Sequence, residues 1–96
     1  MAVVPQGSGW HCEVGTPANA CYRDQTVCNV AVFKARGAEG SPCNAAATAT
    51  CVTYTQKGVD KADCLAETAL CNKYRLWLAD KDPEVASTIS VCKVMP

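Results

Sequence analysis

The stretch Asp60-Lys61-Ala62-Asp63-Cys64-Leu65-Ala66-Glu67-Thr68-Ala69-Leu70-Cys71-Asn72-Lys73-Tyr74-Arg75-Leu76-Trp77-Leu78-Ala79 carries the strongest helical pattern in the chain. Cys64, Cys71 and Leu78 fall on one line of such a helix, flanked by Leu70, Tyr74 and Trp77, which makes a broad apolar face. Asp60 stands where an N-cap belongs, with Val59 before it as a staple residue. Asp80-Lys81-Asp82-Pro83 supplies the stop. The pattern predicts a helix over 61–79 with two cysteines on its buried face. A seven-residue offset separates their Cα atoms by ~10.5 Å along a helix, and a disulfide needs them within about 7 Å. Each cysteine must therefore bridge to a different element.

The same spacing recurs upstream in Cys21 and Cys28. Gly15-Thr16-Pro17 reads as a helix start, with Thr16 as N-cap and Pro17 at the first helical position. A helix over 17–36 would place Ala18, Cys21, Tyr22, Gln25, Cys28, Val32 and Ala35 on one face, with Gly37 as its stop. Between and around these helices lie strand signals. Trp10, Cys12 and Val14 alternate on one face of a short strand. Thr50-Cys51-Val52-Thr53-Tyr54-Thr55 is β-branched and aromatic, and Gln56-Lys57-Gly58 is a turn. Ser41-Pro42 repeats the cap-plus-proline signal, so Cys43–Ala47 is expected to form one or two helical turns. One more turn is expected at 83–86, and Thr88–Val94 reads as a strand or extended tail. Residues 1–9 form a flexible Gly/Pro/Ser-rich lead, and 10–96 a single disulfide-rich domain.

The halves read C-x8-C-x6-C-x14-C and C-x12-C-x6-C-x20-C. An internal repeat over 10–45 and 49–94, a duplicated strand–helix unit, competes evenly with chance spacing. Under the repeat the simplest pairing is local: Cys12–Cys21, Cys28–Cys43, Cys51–Cys64 and Cys71–Cys92. A scheme that ties the halves together, such as Cys12–Cys51, remains open beside it.

Bulk properties explain why the bridges matter. A chain of 96 residues buries only roughly 60–65% of its unfolded surface. Its aromatic set is two Trp, three Tyr and one Phe, and much of its apolar count is Ala and Cys. One bridge closing a loop of ~15 residues stabilises by roughly 3 kcal/mol in the chain-entropy model. Eight cysteines in so short a chain point to four structural disulfides and to an oxidising compartment, so a secreted, periplasmic or cell-surface location is expected. Met1-Ala2-Val3-Val4-Pro5 is too short for a signal-peptide core and lacks a basic flank. The expectation is that an export signal has been removed and that Met1 was added in expression. No stretch approaches ~20 apolar residues, so no membrane span is expected.

Nine basic residues balance nine acidic ones. The cations are scattered as Lys34/Arg36, Lys57/Lys61 and Lys73/Arg75, which gives no footprint for nucleic acid and no polybasic membrane patch. No two cysteines have the C-x2–4-C spacing of a zinc knuckle, and no Cys-x-x-Cys redox pair is present. No metal and no cofactor is expected. His11, the one histidine, would need a nucleophile and an orienting carboxylate such as Glu13 or Asp24 to act as a base; a solvated histidine on an edge strand is the simpler reading. Asp60/Asp63 and Asp80/Asp82/Glu84 sit where helix caps and turns want acids. The Leu70, Tyr74, Trp77 stripe reads as core. Trp10, beside the loose lead, reads as the better exposed aromatic, and with Tyr54 it is the expected partner contact.

Trp10-x-Cys12, then Cys21-Tyr22-Arg23-Asp24 leading to Cys28, Pro42-Cys43, Ala49-x-Cys51, and Cys64 to Cys71 with Tyr74-Arg75 resemble uncharacterised cysteine-rich exported proteins of myxobacterial type. The resemblance covers roughly residues 10–92. It implies an extracytoplasmic bacterial protein with a signal or lipoprotein peptide upstream, and carries over no activity. The lack of an adjacent Cys-Cys pair separates the chain from hydrophobins and plant lipid-transfer proteins, and its spacing from elicitins.

The expected fold is therefore a small disulfide-rich α+β domain with two main helices, two or three short strands and four disulfides; a mostly α stapled domain is the alternative. The expected function is a non-enzymatic extracytoplasmic binding or structural module at a cell envelope, with a protein partner or self-association. A secreted effector, a small toxin or enzyme inhibitor contacting targets through loops 37–42 and 56–60, is the alternative, and a small hydrolase stands third.

Overall fold

The longest strand pair grows from the β-branched run. Strand β4 (Ala49–Gln56) turns back through Lys57 and Gly58 into β5 (Val59–Leu65). Lys57 and Gly58 both have positive φ, 53° and 74°, the signature of the two-residue turn whose twist matches a hairpin. Glu84 accepts from both of their backbone N–H groups at 2.5 and 3.1 Å, which holds a non-glycine residue in that conformation. Register follows from the turn and puts Cys51 directly opposite Cys64.

A computed structural model describes residues 4, 6–16, 19–40 and 42–96. Besides β4 and β5 it contains β1 (Trp10–Cys12), β2 (Cys21–Tyr22), α1 (Gln25–Arg36), a 3-10 turn (Gly37–Glu39), β3 (Asn44–Ala46), α2 (Thr68–Lys81), α3 (Pro83–Thr88) and β6 (Lys93–Met95). The fold is α+β and disulfide-rich. Its strands form two three-stranded antiparallel sheets, ordered β2-β1-β3 and β5-β4-β6.

The sheets are built alike. In each, the first strand of a half is central, the second pairs with it as a hairpin, and a helix leads to a third strand on its other side. Four disulfides repeat the scheme. Cys12–Cys21 and Cys51–Cys64 cross the hairpins with Cα atoms 4.0 Å apart in both, and Cys28–Cys43 and Cys71–Cys92 tie each helix to the segment before its third strand at 6.2 Å in both. The pairing is thus the sequentially local one. The halves meet through equivalent strands: Ala20, beside β2, bridges Leu65 of β5 antiparallel, and Ala66 donates its N–H to Asn19 at 2.9 Å.

Several boundaries differ from the sequence expectation, each for a tertiary reason. Residues 61–65 are strand rather than helix, because the tight turn commits them to five of the seven register pairs between β4 and β5; Asp60 therefore lies in β5 and is not the N-cap of a helix. Helix α2 begins at Thr68. Likewise α1 begins at Gln25, where Asp24 caps it by accepting from Val27 N at 3.0 Å, because Cys21-Tyr22 is taken as a strand partner by β1. Thr16 instead closes a local turn, donating to Glu13 and accepting from Asn19 N. Pro17 and Ala18, expected in the first helical turn, lie outside the described residues, as do Ser41 and positions 1–3 and 5 of the lead. Cys21 and Cys64 are thus strand residues, and each leaves its same-half helical cysteine on a separate element. Asn44–Ala46 is strand and not helix, since it edges the sheet beside β1. The turn expected at 83–86 extends to Thr88, with Asp82 as its cap and Pro83 at its first position.

The core follows the sheets. Trp10, Cys12, Cys21, Ala49, Cys51 and Cys64 form one cluster that draws on both halves. A second set, Cys28, Val32 and Cys43, lies under α1. Val52, Leu65 and Cys71, and beyond them Tyr54, Leu78 and Val85, fill the second half.

Candidate functional site

Where the two halves abut, the surface is concave. A cleft of about 470 Å³ opens between the β2 side and the β5 side. Its lining takes Tyr22, Arg23 and Asp24 from the β2 side, Ala62, Asp63 and Tyr74 from the β5 and α2 side, and the buried Cys21, Cys64 and Leu65 between them. Two cystines, Cys12–Cys21 and Cys51–Cys64, anchor that lining. A site carried on cross-linked strands is held more rigidly than one on loops.

Asp63 organises the β5 and α2 side. Its Oδ2 accepts from the hydroxyl of Tyr54 at 2.5 Å and from that of Tyr74 at 2.7 Å. Tyr54 reaches Asp63 because the hairpin register sets Val52 opposite Asp63 and so places Tyr54 on the diagonal. Tyr74 comes from the middle of α2. Burial, reinforced by the hydrogen bond to Asp63 and its charge, pushes the Tyr54 hydroxyl up to about 12 and raises that of Tyr74 as well. On the β2 side Tyr22 donates to Glu13 Oε2 at 2.9 Å. Its burial, then its bond to Glu13 and the charges of Glu13 and Asp63, push it up to about 12.

Arg23 is held beside them. Its guanidinium lies 3.7 Å over the Trp10 ring, and it donates to Gly9 O at 2.7 Å and Pro96 O at 2.8 Å. That geometry corrects the expectation for Trp10. The ring is 1% exposed, packed in the shared cluster and covered by Arg23, with Nε1 donating to Met95 O at 3.2 Å. Little of the ring is open, and what remains belongs to the lining of the cleft. Tyr54 is also buried, at 6% exposed, and its hydroxyl holds Asp63. Conversely Trp77, expected in the core, is 56% exposed and stacks on Tyr74 with ring centroids 6.2 Å apart. Helix α2 faces the sheet through Cys71 and Leu78, which turns the Leu70/Trp77 row toward its flank.

The other candidates resolve into structural tasks. His11 is half-buried on β1, opposite Tyr22 and Ala45. Glu13 is engaged by Thr16 and Tyr22 and Asp24 by the α1 cap. Asp60 accepts from the Thr55 hydroxyl, Asp82 caps α3, and Glu84 clamps the Lys57-Gly58 turn, so the 56–60 loop is tied down. All eight cysteines are oxidised and none is free. Among the described residues no group of three His, Cys, Asp or Glu could hold a metal ion, and no helix is long and apolar enough to cross a membrane.

The Asp63–Tyr54–Tyr74 cluster is the feature that the amino-acid pattern hid. Its signal is the Lys57-Gly58 turn: counting back along a two-residue hairpin pairs residue 52 with 63 and brings Tyr54 diagonal to Asp63. Reading 61–67 as helix erases that register. Four disulfides fit an oxidising, extracellular setting. Compared with family models, curated proteins and solved structures, this disulfide-stabilised α+β chain has no match.

Proposed function

We propose that this chain is a non-enzymatic extracytoplasmic binding module whose recognition site is the cleft between its halves. One observation carries the reading: a concavity of about 470 Å³, within the range of small-molecule sites, is lined by tyrosines and a carboxylate and is built on two cystine-anchored strands. A rigid lining costs little ordering on binding. The oxidised cysteines support an envelope or secreted location, and the resemblance to exported myxobacterial proteins agrees with it. Recognition without turnover fits the engagement of Glu13 and Asp24 in local bonds to Thr16, Tyr22 and Val27 rather than with His11.

The test is a map of amide shifts in ¹⁵N-labelled protein titrated with a panel of small aromatic, sugar, amine and carboxylate fragments. Saturable shifts confined to residues 20–24 and 62–65 are expected. Shifts centred instead on the outer face of α1, at Val30 and Phe33, would replace the cleft with a helix-face contact.

A further inference from the structure

We infer that the cleft selects an organic cation, an alkylammonium group whose apolar stem lies on the cystine lining and whose head meets Asp63; this deepens the binding reading above and rests on it. The argument begins with charge. Three formal charges line the cleft: Asp24 and Asp63 are negative and Arg23 is positive. Glu13, outside the lining, accepts from the Tyr22 hydroxyl and adds a further formal negative charge nearby. The balance is acidic in an otherwise neutral chain.

The one cation is also the least available of these groups. Arg23 has its ring-facing side on Trp10 and donates to Gly9 O and Pro96 O. An anionic ligand would compete with those bonds. Asp63 is disposed the other way. Both tyrosine hydroxyls converge on Oδ2, and no described donor bonds Oδ1. Among the described residues the buried side-chain atom without a partner is Asn19 Oδ1; Asp63 Oδ1 is thus not a buried unpaired atom, and Asp63 lines the cleft. A carboxylate fixed through one oxygen and open at the other is oriented to accept a charge-assisted hydrogen bond. Tyr22 and Tyr74 flank it, and an ammonium group is favoured against aromatic faces as well as against carboxylate. The lining also includes the apolar Cys21, Cys64 and Leu65, which a methylene chain can contact.

Hexylammonium, hexanol and hexanoate share a stem and differ in head charge, so they test the inference on the intact, oxidised protein. Hexylammonium is expected to shift residues 20–24 and 62–65 saturably, to weaken with added salt, and to bind about tenfold less tightly to Asp63→Asn. Asp24→Asn keeps a capping oxygen for α1, folds as the parent does, and is expected to lose about threefold. Equal binding of hexanol or hexanoate, or hexylammonium binding untouched by both substitutions, overturns the cation inference and leaves the cleft as a binding site. Absence of saturable shifts with all three overturns both readings. Competition by Nα-acetyl-lysine amide assigns the ammonium group to a partner's lysine side chain; failure to compete assigns it to a free amine.

Discussion

The halves spanning 10–46 and 49–95 share strand order and bridge pattern but not their interior. In the first, β1 and β2 make two register pairs; in the second, β4 and β5 make seven. The set under α1 is Cys28, Val32 and Cys43, so cystine itself is most of the filling. The second half adds Val52, Leu65, Tyr54, Leu78 and Val85 and a further helix, α3. The cystine frame sets the topology in both halves, and only the second adds a conventional hydrophobic core. The difference suggests that a half with so little side-chain volume depends on its bridges in a way that its counterpart does not.

The contrast can be broken first at Trp10, the large residue in the cluster that both halves share. Trp10→Ala is expected to cost about 3–5 kcal/mol, read as a lower urea midpoint, with amide exchange accelerated in both halves. Acceleration confined to 10–46 would show that the cluster is not shared energetically. Next come the helix bridges. Replacing Cys28 and Cys43 by Ala should cost about 3 kcal/mol and release the first half as a unit in hydrogen exchange. The same change at Cys71 and Cys92 removes a longer loop closure, 21 residues against 15, yet should leave β4 and β5 protected. Equal local unfolding in both variants would remove the asymmetry.

Asp63→Asn sharpens the comparison from the polar side. Losing the charged acceptor of two hydroxyls should cost about 1–2 kcal/mol, placed in the second half, and should bring Tyr54 and Tyr74 back toward the ordinary tyrosine range. That return is measurable because all three tyrosines are raised, Tyr22 and Tyr54 to about 12. A group whose folded pKa is raised contributes stability fully present below its unfolded value and lost as pH rises through the folded one. Native protein should therefore show far less phenolate absorbance than unfolded protein, which titrates near 10, between about pH 9 and 11, and its stability should fall from about pH 10 to 12. The smallest effects belong to exposed apolar residues in each half: Phe33→Ser and Leu76→Ser should change the urea midpoint by an amount within about 0.5 kcal/mol.

The same asymmetry explains what could be read without coordinates. The disulfide-rich α+β class is legible in cysteine count and spacing, which leave local and crossed bridges both open. The β4 strand is legible in Thr50–Thr55, and the later turns of α1 and α2 are legible in their periodicity. Their first turns are not, because Ala62-Asp63-Cys64 and Ala20-Cys21-Tyr22 have no strong local preference and take strand geometry from a partner. Trp10 misleads for a related reason: a position next to a Gly-rich lead suggests exposure, but the opposing sheet supplies its cover. The cleft depends on how the halves meet, and no local pattern encodes that meeting.

Because the four disulfides pair consecutive cysteines two by two, oxidation that follows the chain from its N-terminal end would form them in sequence. A chain entering an oxidising space N-terminus first presents Cys21 when only Cys12 is available, and Cys43 when Cys28 is the sole unpaired thiol before it. An oxidase that joins each thiol to its predecessor reaches the native set without an isomerase. The first half can be cross-linked before the second has emerged.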